Sequence, residues 1–405
     1  MKTSLSLEQL KDAAIQYGTP LYVYDAEKIV SQYQNLLSHF SSQTTRFFYA
    51  CKSLTNIHIL NVIKNAGCNI DCSSINEAKL AIHVGFLPNN ILYTSNSVGF
   101  DEITEAVHLG INVNIDSLSN LEKFGAKYGS TYPVGVRIRP NVMAGGNLKI
   151  STGHDKSKFG IPVTQMDELK LIQEKYNINI TTLHIHTGSE IKDVHIFMQS
   201  AEVFEKMLDQ FPTVQVLDFG GGFKVPYKPN ETGTDIATLG KAVDDFMQRM
   251  IAKTGRALIA WFEPGKYLVS EAGFFIAQVN VLKQTGDTIF AGVNTGLNHL
   301  IRPMFYDAYH HILNISNPTA PLKHYAVVGN ICETDTFAWD RPIATIQEGD
   351  FIVFLNAGAY GYEMASNYNA RFKPAQVLFE NGASKLISRR DEFEDLLKLQ
   401  VPLTK

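Results

Sequence analysis

Lys52 closes the apolar run Arg46-Phe47-Phe48-Tyr49-Ala50-Cys51-Lys52-Ser53, and five further clusters follow it at long intervals. They are His184-Ile185-His186-Thr187-Gly188-Ser189, Asp218-Phe219-Gly220-Gly221-Gly222, Glu263-Pro264-Gly265-Lys266, Cys332-Glu333 and Gly358-Ala359-Tyr360-Gly361. A lysine amine just past an apolar strand becomes a carbonyl nucleophile once partial burial depresses its pKa. Three consecutive glycines after a strand let backbone amides approach an anion, and the Ser189 hydroxyl adds a donor. His186 can stack on a flat ring. His184 lies two positions earlier, shares the strand face and sits deeper, so it reads as a core histidine. The carboxylate of Glu263 can keep a ring nitrogen protonated.

Arg302 and Tyr306 stand four apart in Arg302-Pro303-Met304-Phe305-Tyr306, a guanidinium fork and a hydroxyl suited to a carboxylate. In Cys332-Glu333 a thiol can give a proton to a carbanion while the neighbouring glutamate holds an amine. Each of these has a plainer reading alone: a surface lysine, a tight turn, a structural ion pair. An amine, an anion cradle and a carboxylate for a ring nitrogen are together what pyridoxal phosphate asks of a protein.

The elements that must position these residues alternate. Strand candidates are 46–50, 68–72, 91–94, 111–115, 134–138, 182–186, 215–219 and 258–262, rich in β-branched and aromatic residues. Helical spacing separates them, as in 57–65, 76–83, 102–108 and 236–251. Eight β/α alternations predict an α/β fold, a closed (β/α)8 TIM-like barrel, with a doubly wound open sheet as the competing architecture. Lys52 then follows strand one, Asp71 and Ser73 strand two, Asn96 strand three, Asp116 strand four and Arg139 strand five. His186 and Ser189 follow strand six, the glycine triplet strand seven and Glu263 strand eight. Such barrels form their active sites on that carboxyl face. From about residue 266 the pattern changes to strands at 274–282, 288–293, 325–328, 351–354, 376–378 and 385–388, an all-β barrel or sandwich region that the early strand 20–24 joins. The expected domains are 26–265, binding the cofactor, and 1–25 with 266–405, contributing to the active site and dimer interface.

Composition excludes other classes. The 405 residues are 45% hydrophobic and 19% charged, ordinary for a globular enzyme, and a net charge of -4 leaves no footprint for nucleic acid. Four cysteines make no disulfide framework, and Cys68 and Cys72 lack a second ligand pair at zinc spacing, so no metal is expected. No apolar run reaches bilayer length. Ser6 and Gln9 form a capping box before a short helix ending at Tyr17 rather than a signal peptide, so a cytoplasmic location without membrane contact is expected.

Taken together, these motifs resemble the fold-type III family of pyridoxal phosphate-dependent decarboxylases. The resemblance runs from Gly18-Thr19-Pro20-Leu21-Tyr22 to Pro374-Ala375-Gln376-Val377. It includes Tyr49-Ala50-Cys51-Lys52, His186-Thr187-Gly188-Ser189 and the stretch Ser151-Thr152-Gly153 with Lys158-Phe159-Gly160. It implies that Lys52 binds the cofactor covalently, His186 stacks on the ring and Glu263 faces its nitrogen. Ser189, Gly220, Gly221, Gly222 and Tyr360 would hold the phosphate, with Asp71, Gly265 and Lys266 also beside the cofactor. Cys332 would be the proton donor. Arg302, Tyr306, Glu333, Lys266 and Tyr360 would hold the substrate. The implied assembly is a homodimer with shared sites, Cys332 and Glu333 entering from the other subunit. The implied reaction removes a carboxylate from meso-2,6-diaminopimelate to give L-lysine. The alternative substrates are ornithine, arginine, carboxynorspermidine or a D-amino acid. Two positions depart from the family's pattern: Lys266 stands where arginine is common, and Thr334-Asp335 where Ser-Gly-Asp is.

Overall fold

A computed structural model describes residues 3–140 and 157–403 of the chain. Ser151-Thr152-Gly153 lies outside the described residues, whereas Lys158-Phe159-Gly160 lies within them. The chain divides into two compact units, one of Val30–Val225 with Thr232–Leu268, the other of Met1–Ile29, Pro226–Glu231 and Val269–Lys405.

In the first unit, eight parallel strands form a ring: Thr45–Ala50, Asn69–Cys72, Ile91–Thr94, Asn112–Ile115, Val134–Arg139, Ile180–His184, Val216–Asp218 and Ile259–Phe262. The eighth pairs back onto the first, Trp261 opposite Arg46 and Phe262 opposite Phe47, so the sheet is closed and the open alternative falls. The strands are apolar because helices cover one face and the barrel interior the other. Phe262 stacks on Phe219 at 5.1 Å and meets Phe40 at 5.2 Å, tying the ends of strands seven and eight to the segment that leads into strand one. Side-chain caps start the helices: Asn56 before Ile57–Asn65, Ser74 before Ile75–Val84 and Asp235 before Ile236–Thr254. Strand six ends at His184, two residues short of the expected His186. Beyond it the backbone turns through Gly188 (φ 145) and Glu190 (φ 63), which no ladder accommodates.

The second unit is built on one sheet. Its strands run in the order Thr336–Ala344, Leu322–Val328, Thr288–Val293, Gly273–Thr285, Leu21–Asp25, Ala375–Glu380 and Ala383–Ser388. The early strand lies antiparallel to Gly273–Thr285 and parallel to Ala375–Glu380, as its place in the sequence predicts. Phe351–Phe354 pairs with Gly273–Thr285 and carries Ile312–Asn314 on its other side. Leu10, Ala13 and Ala14 of the helix Leu7–Tyr17 pack on Leu21, Val23, Phe274 and Val377. Two strands escaped the sequence reading. Thr336–Ala344 carries Asp340-Arg341-Pro342 at its centre, a polar run with a proline and a left-handed Asp340 (φ 46). Ile312–Asn314 has three residues, too few for a periodic signal.

Candidate active site

Strand one ends at Ala50, and Cys51–Ser53 form a single helical turn. Cys51 and Ser53 are buried while Lys52 between them is exposed, so the expected partial burial of the amine is corrected. Successive side chains of such a turn point about a third of a turn apart, so one of the three can face solvent while its neighbours are buried. The turn is braced by strand eight's outgoing loop, with the Ala50 N–H donating to Pro264 O at 3.1 Å. A Cβ on Gly265 would lie 2.2 Å from Ser53 Oγ, so only glycine lets this loop lie against the lysine turn. Burial raises the Asp71 and Glu263 carboxyls and lowers the His184 and His186 rings; the Lys52 charge partly offsets the first and adds to the second.

Those groups line the barrel's upper interior. His184, Asp218 and Glu263 are buried, and each offers one donor atom within 4.8 Å of the others. His184 Nε2 stands 3.5 Å from Glu263 Oε1. Burial and the Asp218 charge push the Glu263 carboxyl well above the usual range. Burial raises Asp218 to about 7, partly offset by the Gly220 N–H that donates to its Oδ1 at 2.9 Å. Two carboxyls this close and this dry keep a proton between them near neutral pH. Burial, together with the charges of Arg137 and others, holds the His184 ring neutral. Asp71 is likewise buried and raised, first by desolvation and then by Glu263. Glu263 Oε1, Asp218 Oδ2, Asp71 Oδ1 and both His184 nitrogens have no hydrogen-bond partner.

The sequence reading missed this trio as a unit because its members come from strands six, seven and eight, and it passed over Arg137 altogether. Arg137 is a buried cation whose charge is supported by Glu263, Asp116, Asp71 and Asp218 against the desolvation that lowers its pKa. Its guanidinium lies 4.7 Å from the Phe159 ring centroid. The signal was present in Arg137-Ile138-Arg139, because alternate residues of a strand share a face. Arg139, the residue chosen at the strand end, instead donates to the Ser157 carbonyl.

His186 sits past strand six against the glycine triplet. The Gly221 N–H donates to its Nδ1 at 3.1 Å, which places the ring proton on Nε2, and burial keeps the ring neutral. Gly220 has φ 67, and a Cβ there would come within 2.6 Å of the His186 ring, so ring and glycine are matched. Two of the triplet's amides thus make internal hydrogen bonds, Gly220 to Asp218 and Gly221 to His186. Ser189 is half-buried on the adjoining loop. Lys266 is ion-paired with Glu190, whose other oxygen lies 3.4 Å from Lys224.

The remaining predicted residues belong to the second unit. Arg302 opens the short helix Arg302–Tyr306, which sets it and Tyr306 on one face. Arg302 is buried, its guanidinium 5.3 Å from the Tyr227 ring centroid and its Nε without a hydrogen-bond partner. Tyr306 is half-buried, as is Tyr360, which adopts a left-handed φ of 56. Cys332 and Glu333 lie exposed on the loop joining Leu322–Val328 to Thr336–Ala344. The loop is pinned where Gly329 N–H donates to Asp335 O and Asp335 N–H to Glu333 O, both at 2.9 Å. Tyr368 and Asn369, which the sequence reading passed over, hydrogen-bond to this pair.

A closed parallel barrel with a lysine, a neutral histidine and a buried carboxyl at its carboxyl end defines a class of cofactor-dependent enzymes. Residues 26–270 match the family model described as the pyridoxal-binding domain of pyridoxal-dependent decarboxylases, and the chain belongs to that family. The diaminopimelate decarboxylase of Methanothermobacter thermautotrophicus is 36% identical over 400 residues, covering 96% of this chain and 93% of that one. That of Aquifex aeolicus is 33% identical, with 96% and 93% covered. A crystal structure of diaminopimelate decarboxylase from Helicobacter pylori complexed with L-lysine matches with a TM-score of 0.88 at 30% identity, covering 98% of this chain and 99% of that one.

Proposed function

We propose that this chain removes the D-centre carboxylate of meso-2,6-diaminopimelate to give L-lysine and carbon dioxide, the last step in making lysine, with pyridoxal phosphate as its cofactor. The observation that carries the reading is that Lys52 and Glu263, whose buried Oε1 has no hydrogen-bond partner, follow neighbouring paired strands of one closed barrel. The residues fit such a group on three counts. Glu263 and Asp218 retain a shared proton beside a buried oxygen with no donor. His186 is kept neutral by burial and its Nδ1 is held by the Gly221 N–H, which fixes the ring's position for a stacking role. The Gly220-Gly221-Gly222 loop and Ser189 stand beside two lysines sharing one glutamate, a net positive site for a phosphate.

Pyridoxal phosphate, when bound, supplies the electron sink that lets a carboxylate leave as carbon dioxide. The chain's own part is to hold and move protons. Lys52 would hold the cofactor through its amine and, as a base beside it, would accept and return the proton of the substrate amine. Glu263, backed by Asp218, keeps a proton at the ring nitrogen. Cys332 gives a proton to the substrate's α carbon, and Arg302 with Tyr306 and Glu333 holds the distal amino-acid end. An arginine left without its carboxylate in a closed site costs about 1–3 kcal/mol, which discriminates against ornithine and similar substrates. We further assign a homodimer with shared sites and a cytoplasmic location; among the described residues no helix is long and apolar enough to cross a membrane.

The test is carbon dioxide release by the purified chain with pyridoxal phosphate, offering meso-diaminopimelate beside L-ornithine, L-arginine, carboxynorspermidine and D-lysine. Release from diaminopimelate alone is expected. Faster release from another of these substrates overturns the assignment of the distal pocket.

A further inference from the structure

Cys332 is gripped at two points by one side chain. Asn369 Oδ1 accepts the Cys332 backbone N–H at 2.9 Å, and Asn369 Nδ2 donates to Cys332 Sγ at 3.0 Å. The two contacts fix the orientation of the carboxamide, since only its oxygen can accept from an N–H. Asn369 reaches this position from a left-handed backbone (φ 57, ψ 25) inside the single turn Tyr368–Ala370, a conformation asparagine tolerates better than most residues. The preceding residue completes the surroundings. Tyr368 donates its hydroxyl hydrogen to Glu333 Oε1 at 2.7 Å, and the same oxygen lies 3.7 Å from Cys332 Sγ. With its hydrogen committed to Glu333, the tyrosine oxygen faces the thiol as an acceptor. The sulfur therefore has an acceptor for its S–H on one side and an N–H donor on the other.

We infer that Asn369 and Tyr368 are positioning residues for Cys332, Tyr368 orienting the thiol proton and Asn369 holding the sulfur and stabilising the thiolate left when the proton departs. This rests on the reading of Cys332 as the proton donor. In that step the S–H bond breaks, a C–H bond forms at the substrate's α carbon, and sulfur keeps the electron pair while the Asn369 N–H stays directed at it. The charges around the sulfur act in the same sense. The hydrogen bond from Asn369 is the largest influence on the thiol and lowers its pKa, against opposing effects of desolvation and the Glu333 charge. Arg371, on the following segment, is occupied with the Asn330 carbonyl at 3.1 Å. Tyr368, with its pKa raised by Glu333 and Cys332, stays protonated throughout.

Thiol alkylation by iodoacetamide tests this without reference to turnover. Cys51, Cys68 and Cys72 are buried and Cys332 is exposed, so modification read by mass spectrometry at Cys332 reports one thiol. Rates are measured against pH on the full chain saturated with pyridoxal phosphate. Asn369→Gly keeps the left-handed backbone and removes the amide; Tyr368→Phe removes the hydroxyl. For Asn369→Gly the midpoint is expected to move up by about one unit, making alkylation about tenfold slower below it, whereas Tyr368→Phe, which removes the acceptor of the S–H, is expected to leave it in place or lower it. An unmoved midpoint in Asn369→Gly, in a variant that unfolds at the parent temperature and binds cofactor, overturns the inference. Cys332→Ala is run alongside. If it decarboxylates at the parent rate, the proton-donor reading fails whatever the alkylation profile shows. If it is slow while the Asn369→Gly profile is unshifted, the positioning inference alone fails.

Discussion

Lys266 and Glu190 are joined as an ion pair at the edge of the glycine loop, and Lys224 approaches the same carboxylate at 3.4 Å. Glu190 stands between Gly188 and Ile191, and Ile191 donates its N–H to Gly222 O at 2.9 Å, so this charge cluster adjoins the glycine loop to which we assign the phosphate. Lysine in place of the family's usual arginine offers a single point charge, and that charge already has a partner.

The cluster carries two cations and one anion, so its balance sets affinity for an anion. Lys266→Ala is expected to weaken pyridoxal phosphate binding about tenfold, the effect of roughly 1.4 kcal/mol, and Glu190→Gln to leave it equal or tighter. Titration followed by the cofactor's absorbance band checks the order. The reverse order would take this cluster out of the cradle.

Asp218 titrates at about 7 in the folded chain against an ordinary 3.8. Between those values the folded state holds a proton that the unfolded state lacks, so the stability this group contributes falls as pH rises through the window and levels off above it. Asp218→Asn retains an oxygen for the Gly220 N–H but does not titrate. The parent's thermal midpoint minus the variant's should therefore shrink by a few degrees between pH 5 and pH 8 ( sets this scale). Because Glu263 is raised in part by the Asp218 charge, the same comparison is made in a Glu263→Gln background. A constant difference would mean that Asp218 carries no shifted proton.

Cys332→Ala should cut turnover by about two to four orders of magnitude, the usual range for a lost proton-transfer group. Cofactor affinity should change little. Equal losses in both would show that the thiol supports the cofactor's site rather than the chemistry.

Arg302→Ala should raise KM for diaminopimelate steeply, and Arg302→Lys should do so by roughly tenfold or more, because an ammonium lacks the paired N–H fork. The lysine variant is the cleaner reading, since Arg302 also packs over Tyr227 and its removal opens a cavity. Unchanged kinetics in both variants would remove Arg302 from the substrate pocket.

The barrel was legible because its signal is repetitive. Eight apolar runs with polar ends survive errors of one or two residues in any of them, as at His186, which lies past its strand. Lys52, Glu263 and the glycine triplet were legible because strand termini put them on one face. Arg137 was not, and Asp218, though part of the glycine motif, had no role of its own there, since each acquires meaning only from neighbours on other strands. Tyr368 and Asn369 were hidden for a similar reason: the contact with Cys332 spans 37 positions and runs through a left-handed residue that no periodicity marks. The strand Thr336–Ala344 was concealed by its own proline.

The pairing of strand eight with strand one also fixes when a site can exist. The amine arrives with the first strand and its carboxyl counterpart with the last, so the intervening strands and helices must find their places before the two can flank anything. A chain emerging from its N-terminus carries Lys52 early and has no use for it until Phe262 settles beside Phe47. Cofactor capture is then a report on ring closure. A ligand that binds only the closed ring also draws the folding equilibrium toward it.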